Sequence, residues 1–200
     1  MGGPFAGGGH AVSLTNVVTV EAVDEKAKRV LHEFLSMYFD GSTHWCGSST
    51  AKTVPSVSLV FGKIEVQDVK AKPVIGVIKA QRATERKWGR STGENVKQDA
   101  DWTFTVWVAR QHVATVDGVV CRGARLADVI SDRLGALMTV CRFQFTNSGL
   151  KILRTTGAVS LDDKGMDAFI RSRTVRIRTE FAALFGSQAT LELSGTYVLV

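Results

Sequence analysis

DADWTFTVWVA, residues 99–109, alternates without interruption. Trp102, Phe104, Val106 and Val108 share one parity, and Asp101, Thr103, Thr105, Trp107 and Ala109 share the other. Side chains of an extended chain point to opposite faces in turn, so this is a strand with one face in a core. Upstream, PVIGVIKAQRATERKWGR (residues 73–90) opens with an unbroken apolar run from Val74 to Ile78. A run without alternation is covered on both faces. The expectation is core on one side and a neighbouring subunit on the other.

Between these two strands, Lys79 to Gly93 carries Lys79, Arg82, Arg86, Lys87 and Arg90 against Glu85, with Trp88 among them. The segment reads as a long basic hairpin loop. Loops of this length are mostly functional or disordered. Two uses are open: a solvated connection that docks on a partner, or a phosphate-contacting finger in which Trp88 stacks on a base.

Helices flank the strands. Ala27, Val30, Leu31, Phe34, Leu35 and Tyr38 follow the i, i+3, i+4, i+7 spacing of one apolar stripe. Asp24 is placed to cap this helix and Gly41 to end it. Leu126, Val129, Ile130, Leu134 and Leu137 make a second stripe, with Arg125, Asp128, Asp132 and Arg133 on its solvated side. Residues 41–56 are rich in Ser, Thr and Gly and read as a loop. After Pro55, Val57, Leu59 and Phe61 alternate, and Ile64 and Val66 extend the strand past a bend at Gly62. Asp117-Gly118 lies in a loop leading to the second helix. Val140–Phe145, Lys151–Arg154, a long run from Ala168 and a closing segment Thr190–Val200 read as strands. In the long run Arg176 and Arg178 share the outer face, and Arg171 and Arg173 add basic density upstream.

These elements make an α+β fold: a mostly antiparallel sheet, two packed helices and a long protruding hairpin. Residues 1–22 form a flexible glycine-rich arm and lead-in, and 23–200 a single domain. A chain of 200 residues, 44% hydrophobic and 22% charged, can bury a core without staples. No apolar stretch approaches the roughly 20 residues that cross a bilayer, so no membrane partner is expected. Three cysteines without a C-x-x-C pair read as reduced apolar fillers. Lys and Arg exceed Asp and Glu by 25 to 19, an excess that permits a polyanionic partner without requiring one.

Chemistry-bearing motifs are absent. Gly7-Gly8-Gly9 is not followed by the Lys-Ser/Thr of a phosphate loop. His44 and Cys46 beside Trp45 lack further ligands at metal spacing. Asp162-Asp163 reads as a turn beside Lys164-Gly165 rather than an acid pair. No catalytic residue, cofactor site or metal site emerges from this reading, and the expectation is a non-enzyme.

The order of AKRVLHEFL (27–35), PVIGVIKAQRATERKWGR, DADWTFTVWVA, RLADVISDRLGALM (125–138) and SRTVRIRTEFAALF (172–185) resembles the tail-terminator and tail-completion (neck) proteins of long-tailed bacteriophages. The resemblance spans about residues 24–184 and is one of pattern. The glycine-rich arm, extra central length and the segment after Gly186 depart from the smaller members. It implies a homo-oligomeric, typically hexameric ring at the head-proximal end of the tail, assembled in the host cytoplasm and retained in the virion. Its partners would be the tail tube protein and a head-completion or connector protein, with DNA passing through the lumen. Candidate interface residues are Arg82, Arg86, Trp88, Arg90, Trp107, Arg176 and Arg178. The alternative is a nucleic-acid-binding module using the basic hairpin and the strand from Arg171 to Arg178.

Overall fold

The computed structural model describes residues 20–44, 51–88, 95–163 and 167–182. The glycine-rich arm, Trp45, Cys46, Arg90 and the closing segment Thr190–Val200 lie outside them.

Helix α1 runs Val20–Tyr38 and buries Ala27, Val30, Leu31, Leu35 and Tyr38. The helix already includes Val20–Val23, ahead of the expected cap. Asp24 therefore lies within the helix, and its carboxylate accepts from Lys79 Nζ. The chain reverses beyond Tyr38 at Gly41, whose φ of 93° suits a residue without Cβ. Two short strands, β1 (Thr43–His44) and β2 (Lys52–Thr53), pair across the Ser/Thr-rich connection.

The main sheet takes its strands from across the chain: β3 (Ser58–Val60), β4 (Val74–Trp88), β5 (Asn95–Ala109), β8 (Leu150–Thr155), β9 (Val159–Asp163) and β10 (Ala168–Ala182). Their order is β3-β4-β5-β10-β8, with β9 also on β10. The β3–β4 pair is parallel and the others are antiparallel. One face packs under α1 and under α3 (Gly123–Val140). The core there joins Trp102, Phe104 and Val106 to Leu126, Ile130, Leu134 and Met138.

Several expectations are corrected. The strand after Pro55 stops at Val60, and the chain turns into helix α2 (Val66–Ala71), with the Glu65 amide donating to Asp68 Oδ2 at 3.0 Å. That reciprocal start at a helix end competes successfully with strand continuation. The second face of β4 is covered by the same chain: Val74 packs with Ile64 and Val69 of the α2 region, together with Ala109 and Ala168. The burial of Val74 is thus no sign of a neighbour, while Ile78 at the end of the run is 50% exposed.

The Asp117-Gly118 loop is the turn of a hairpin, β6 (Val113–Val116) and β7 (Val119–Arg122). Both turn residues have positive φ, 51° and 77°, the pairing that matches strand twist in a two-residue connection. Val140–Phe145 is not a strand. Helix α3 ends at Val140, and α4 (Arg142–Asn147) follows, its Phe145 buried against Phe34 with ring centroids 4.4 Å apart. The register of Phe145 on Phe34 decides this segment, and local alternation does not. Asp162 and Asp163 belong to β9, opposite Phe169 and Ala168, rather than to a turn.

Candidate assembly surface

The expected basic loop is mostly strand. Beyond an irregular stretch between Lys79 and Ala83, β4 pairs with β5 residue by residue up to Trp88 opposite Asn95. On the other side of β5, β10 keeps register up to Ala182 opposite Asn95. The rows of Ala83, Thr84 and Glu85 continue across β10 to Ile152, Lys151 and Leu150 of β8 and include the buried Ala100, Gln98, Ile177 and Thr179. Only the three rows from Arg86 to Trp88 pass beyond β8 as a three-stranded blade, roughly 10 Å at ~3.3 Å per residue. Arg86 stands opposite Lys97, and Lys97 opposite Glu180. Arg82 falls in the irregular stretch. At the root of this blade Lys79 Nζ reaches Asp24 of α1 and Gln98 Oε1 at 3.1 Å, tying the blade to the helix layer.

Arg176 and Arg178 lie on the face opposite the helices, as expected, and each meets the aspartate directly across the strand pair. Arg176 makes two bonds to Asp101, 2.9 and 3.0 Å, and Arg178 two to Asp99, 2.7 and 2.9 Å. Paired forks of this kind fix register between β5 and β10. They also neutralise much of the charge that two bare arginines would show a polyanion. Arg154 of β8 stands opposite Arg176 and lines a shallow depression with Asp101, Thr156, Thr174 and Arg176.

The upstream arginines point the other way. Arg171 is buried and donates to Asp128 of α3, and Arg173 donates to the Thr156 carbonyl at 2.9 Å while packing beside Gly135 of α3. The run from Arg171 to Arg178 is thus divided between two faces, and a single phosphate-contacting surface does not form from it. Asp128 and Arg133, expected as solvated decoration, are tertiary tethers; Arg133 reaches Asp117 at 2.8 Å and the Thr53 carbonyl at 3.3 Å.

Trp107 shares the face of the arginine–aspartate ladder but sits beneath α2, half-buried against the cluster of Ile64, Val69 and Val74. Its Nε1 is shielded and has no acceptor among the described residues. It packs against its own subunit and remains partly exposed there.

Other candidates were not read from the sequence. Val113 and Val120 stand exposed on the outer face of the β6–β7 hairpin, and Val140 at the end of α3 and Phe143 of α4 are exposed as well. Alternation around Asp117-Gly118 was the available signal for the first pair. Phe143 carries no local signal, because its exposure follows from Phe145 taking the buried position.

Asp40, Ser42 and His44 gather after α1. His44 Nε2 lies 2.9 Å from Asp40 Oδ1 and 3.1 Å from Ser42 Oγ, and Ser42 Oγ donates to the same Oδ1 at 2.6 Å. A serine relay needs acid and hydroxyl on different ring nitrogens. Here both address one nitrogen, so the cluster locks a turn. Ser42 Oγ–H, His44 and the Ser42 amide hold the Asp40 carboxyl well below the ordinary carboxylate range. The Thr53 amide, with Arg133 and Lys52, lowers Asp117 likewise.

Among the described residues no three His, Cys, Asp or Glu side chains gather as a metal site, and no helix is long and apolar enough to cross a membrane. No protein-family model matches the chain, and no curated protein matches it.

Proposed function

We propose that this chain is a structural, non-catalytic virion protein of a long-tailed bacteriophage. It forms a ring at the head-proximal end of the tail, ends growth of the tail tube and joins the tube to the head. Its partners are further copies of itself, the tail tube protein and a head-completion or connector protein. The observation that carries this reading is the three-stranded blade of β4, β5 and β10, which extends to Trp88, Asn95 and Ala182 from a helix-covered sheet. A heterologous contact that closes on itself makes a ring, and a sheet extension past the helix-covered body is an element that reaches toward a neighbour. The order of helix, long hairpin, second helix and long final strand, which carries the resemblance to tail terminators, supports the same reading.

Co-sedimentation with purified tail tubes tests it. The protein pellets with the tubes in an amount set by the number of tube ends, and shearing the tubes raises that amount. Binding along the tube length, or none, contradicts the reading. Salt-sensitive binding to short DNA without tube binding would favour the nucleic-acid alternative.

A further inference from the structure

Four consecutive residues of β8, Ile152 to Thr155, line a single cavity of about 220 Å³ between that strand and the end of α3. A regular strand could not do this, because neighbouring side chains point to opposite faces. A bulge allows it: Arg154 pairs with Arg176 and Ile152 with Ile177, so Leu153 is left over and the strand bends there. Buried Met138 and Ile152, with half-buried Leu153, give the cavity an apolar lining. Arg142 of α4 closes it, its Nη2 donating to the Ile152 carbonyl at 2.8 Å.

The charge at this cavity is unbalanced. Arg133, Arg171, Arg176 and Arg178 each bond an aspartate, whereas Arg142 and Arg154 have no carboxylate partner among the described residues. The cavity's described lining holds no acidic side chain. Arg142 spends one N–H of its fork on Ile152 and keeps the others. Beyond Thr155 a third guanidinium, Arg173, donates to the Thr156 carbonyl at 2.9 Å, again with no carboxylate partner among the described residues. The carboxyl end of α3 sets roughly half a negative charge against these groups, which two full positive charges outweigh. The second depression that Arg154 lines contains Asp101, so it is the less suited to an anion.

We propose that this cavity binds a phosphate group between Arg142 and Arg154. Its volume lies below the roughly 300 Å³ at which sites for drug-sized ligands begin, so a compact group suits it. A carboxylate is planar and one guanidinium fork satisfies it, as Arg176 does Asp101. A phosphate offers oxygens in several directions and so matches donors that come from α4 and β8 together, with the Thr155 hydroxyl beside them. The apolar lining lowers the local dielectric and strengthens both bonds. A small phosphorylated molecule and a nucleic-acid backbone both present this group. The site stands whether or not the chain forms a ring.

Titration of the full-length, isotope-labelled chain with inorganic phosphate, against sodium chloride at equal ionic strength, tests this by NMR. The amide signals of Leu153, Arg154 and Thr155 shift and saturate with phosphate and not with chloride. Arg142→Gln and Arg154→Gln each weaken binding about tenfold or more, the worth of one charge-assisted hydrogen bond. Arg125→Gln, at an exposed arginine of α3 outside the cavity, leaves binding unchanged. Should Arg142→Gln unfold the chain by freeing the Ile152 carbonyl, Arg154→Gln decides alone, since Arg154 bonds no described side chain or carbonyl. Shifts confined to other regions, a response that never saturates, or equal effects of Arg154→Gln and Arg125→Gln overturn the proposal. A mixed-sequence single-stranded oligonucleotide then separates the sources. Binding that competes with phosphate and falls with Arg154→Gln supports the site with a nucleic-acid backbone as its ligand. Phosphate binding that the oligonucleotide does not displace supports it with a small phosphorylated molecule.

Discussion

Val69→Ala asks whether the second face of β4 is covered by the chain itself. Val69 is 1% exposed and packs with Ile64, Val74, Ala109 and Ala168. The substitution removes two carbons from a dry site, a transfer loss of about 1.6 kcal/mol at ~0.8 per methylene. The space left would add roughly 1 kcal/mol if nothing moved. Helix α2 has six residues and can settle inward, so the expected loss is about 2 kcal/mol. For a chain of this size that corresponds to a fall in Tm of roughly 4–8 °C. Urea unfolding of wild type and variant, at two protein concentrations well apart, gives the same difference at both. Ile78→Ala, at the exposed end of the same run, stays within about 0.5 kcal/mol. A Val69→Ala loss below that level, or one present only at high concentration, refutes cover by α2 and restores a neighbouring subunit as the cover.

Four further outcomes are expected. In Gly76→Val the new Cβ would lie 2.4 Å from Ile64 Cδ1 and 2.8 Å from Thr105 Oγ1, so thermal melts show a loss of about 1–3 kcal/mol, partly recovered by adding Ile64→Ala. Ser42→Ala removes the main cause of the depressed Asp40 carboxyl, and its titration, followed by carboxyl NMR, moves up toward the ordinary 3.8. Because the folded value lies below the unfolded one, this contribution is present above about pH 4 and fades as pH falls, so wild type and variant differ at pH 7 and converge in acid. A double-mutant cycle on Arg176 and Asp101, both partly exposed, gives a coupling of about 0.2–1 kcal/mol that shrinks with salt; a salt-independent value contradicts the surface-pair description. Replacing Arg82, Arg86 and Arg90 together by Ser leaves the melting curve nearly unchanged and weakens ring or tube association, read by light scattering; unchanged association removes these arginines from the interface.

Periodicity made the long elements legible. The α1 stripe, the α3 stripe, the alternation of β5 and the parity of Arg176 and Arg178 each report one face against one core, which a single segment can reveal. What escaped depends on partners far away in sequence. Phe145 is helical because Phe34 waits for it, and Trp107 is half-buried because α2 folds over the sheet face. Arg171 and Arg173 diverge from Arg176 and Arg178 because strand parity places them beneath α3. The Glu65–Asp68 helix start and the Asp117-Gly118 turn are local and were readable. Both were outweighed, the first by an apolar alternation that runs on through Ile64, the second by the brevity of β6 and β7. The basic segment shows the same limit: its residues were visible, but their pairing through β5 to β10 depends on a register set by strands almost eighty residues apart.

Electron microscopy of tail tubes incubated with the purified protein tests the central claim most directly. The account predicts a ring at one end of each tube, with tube length fixed from the moment of capping even when free tube protein remains. Bare ends, continued elongation and a protein that stays monomeric beside the tubes would contradict it.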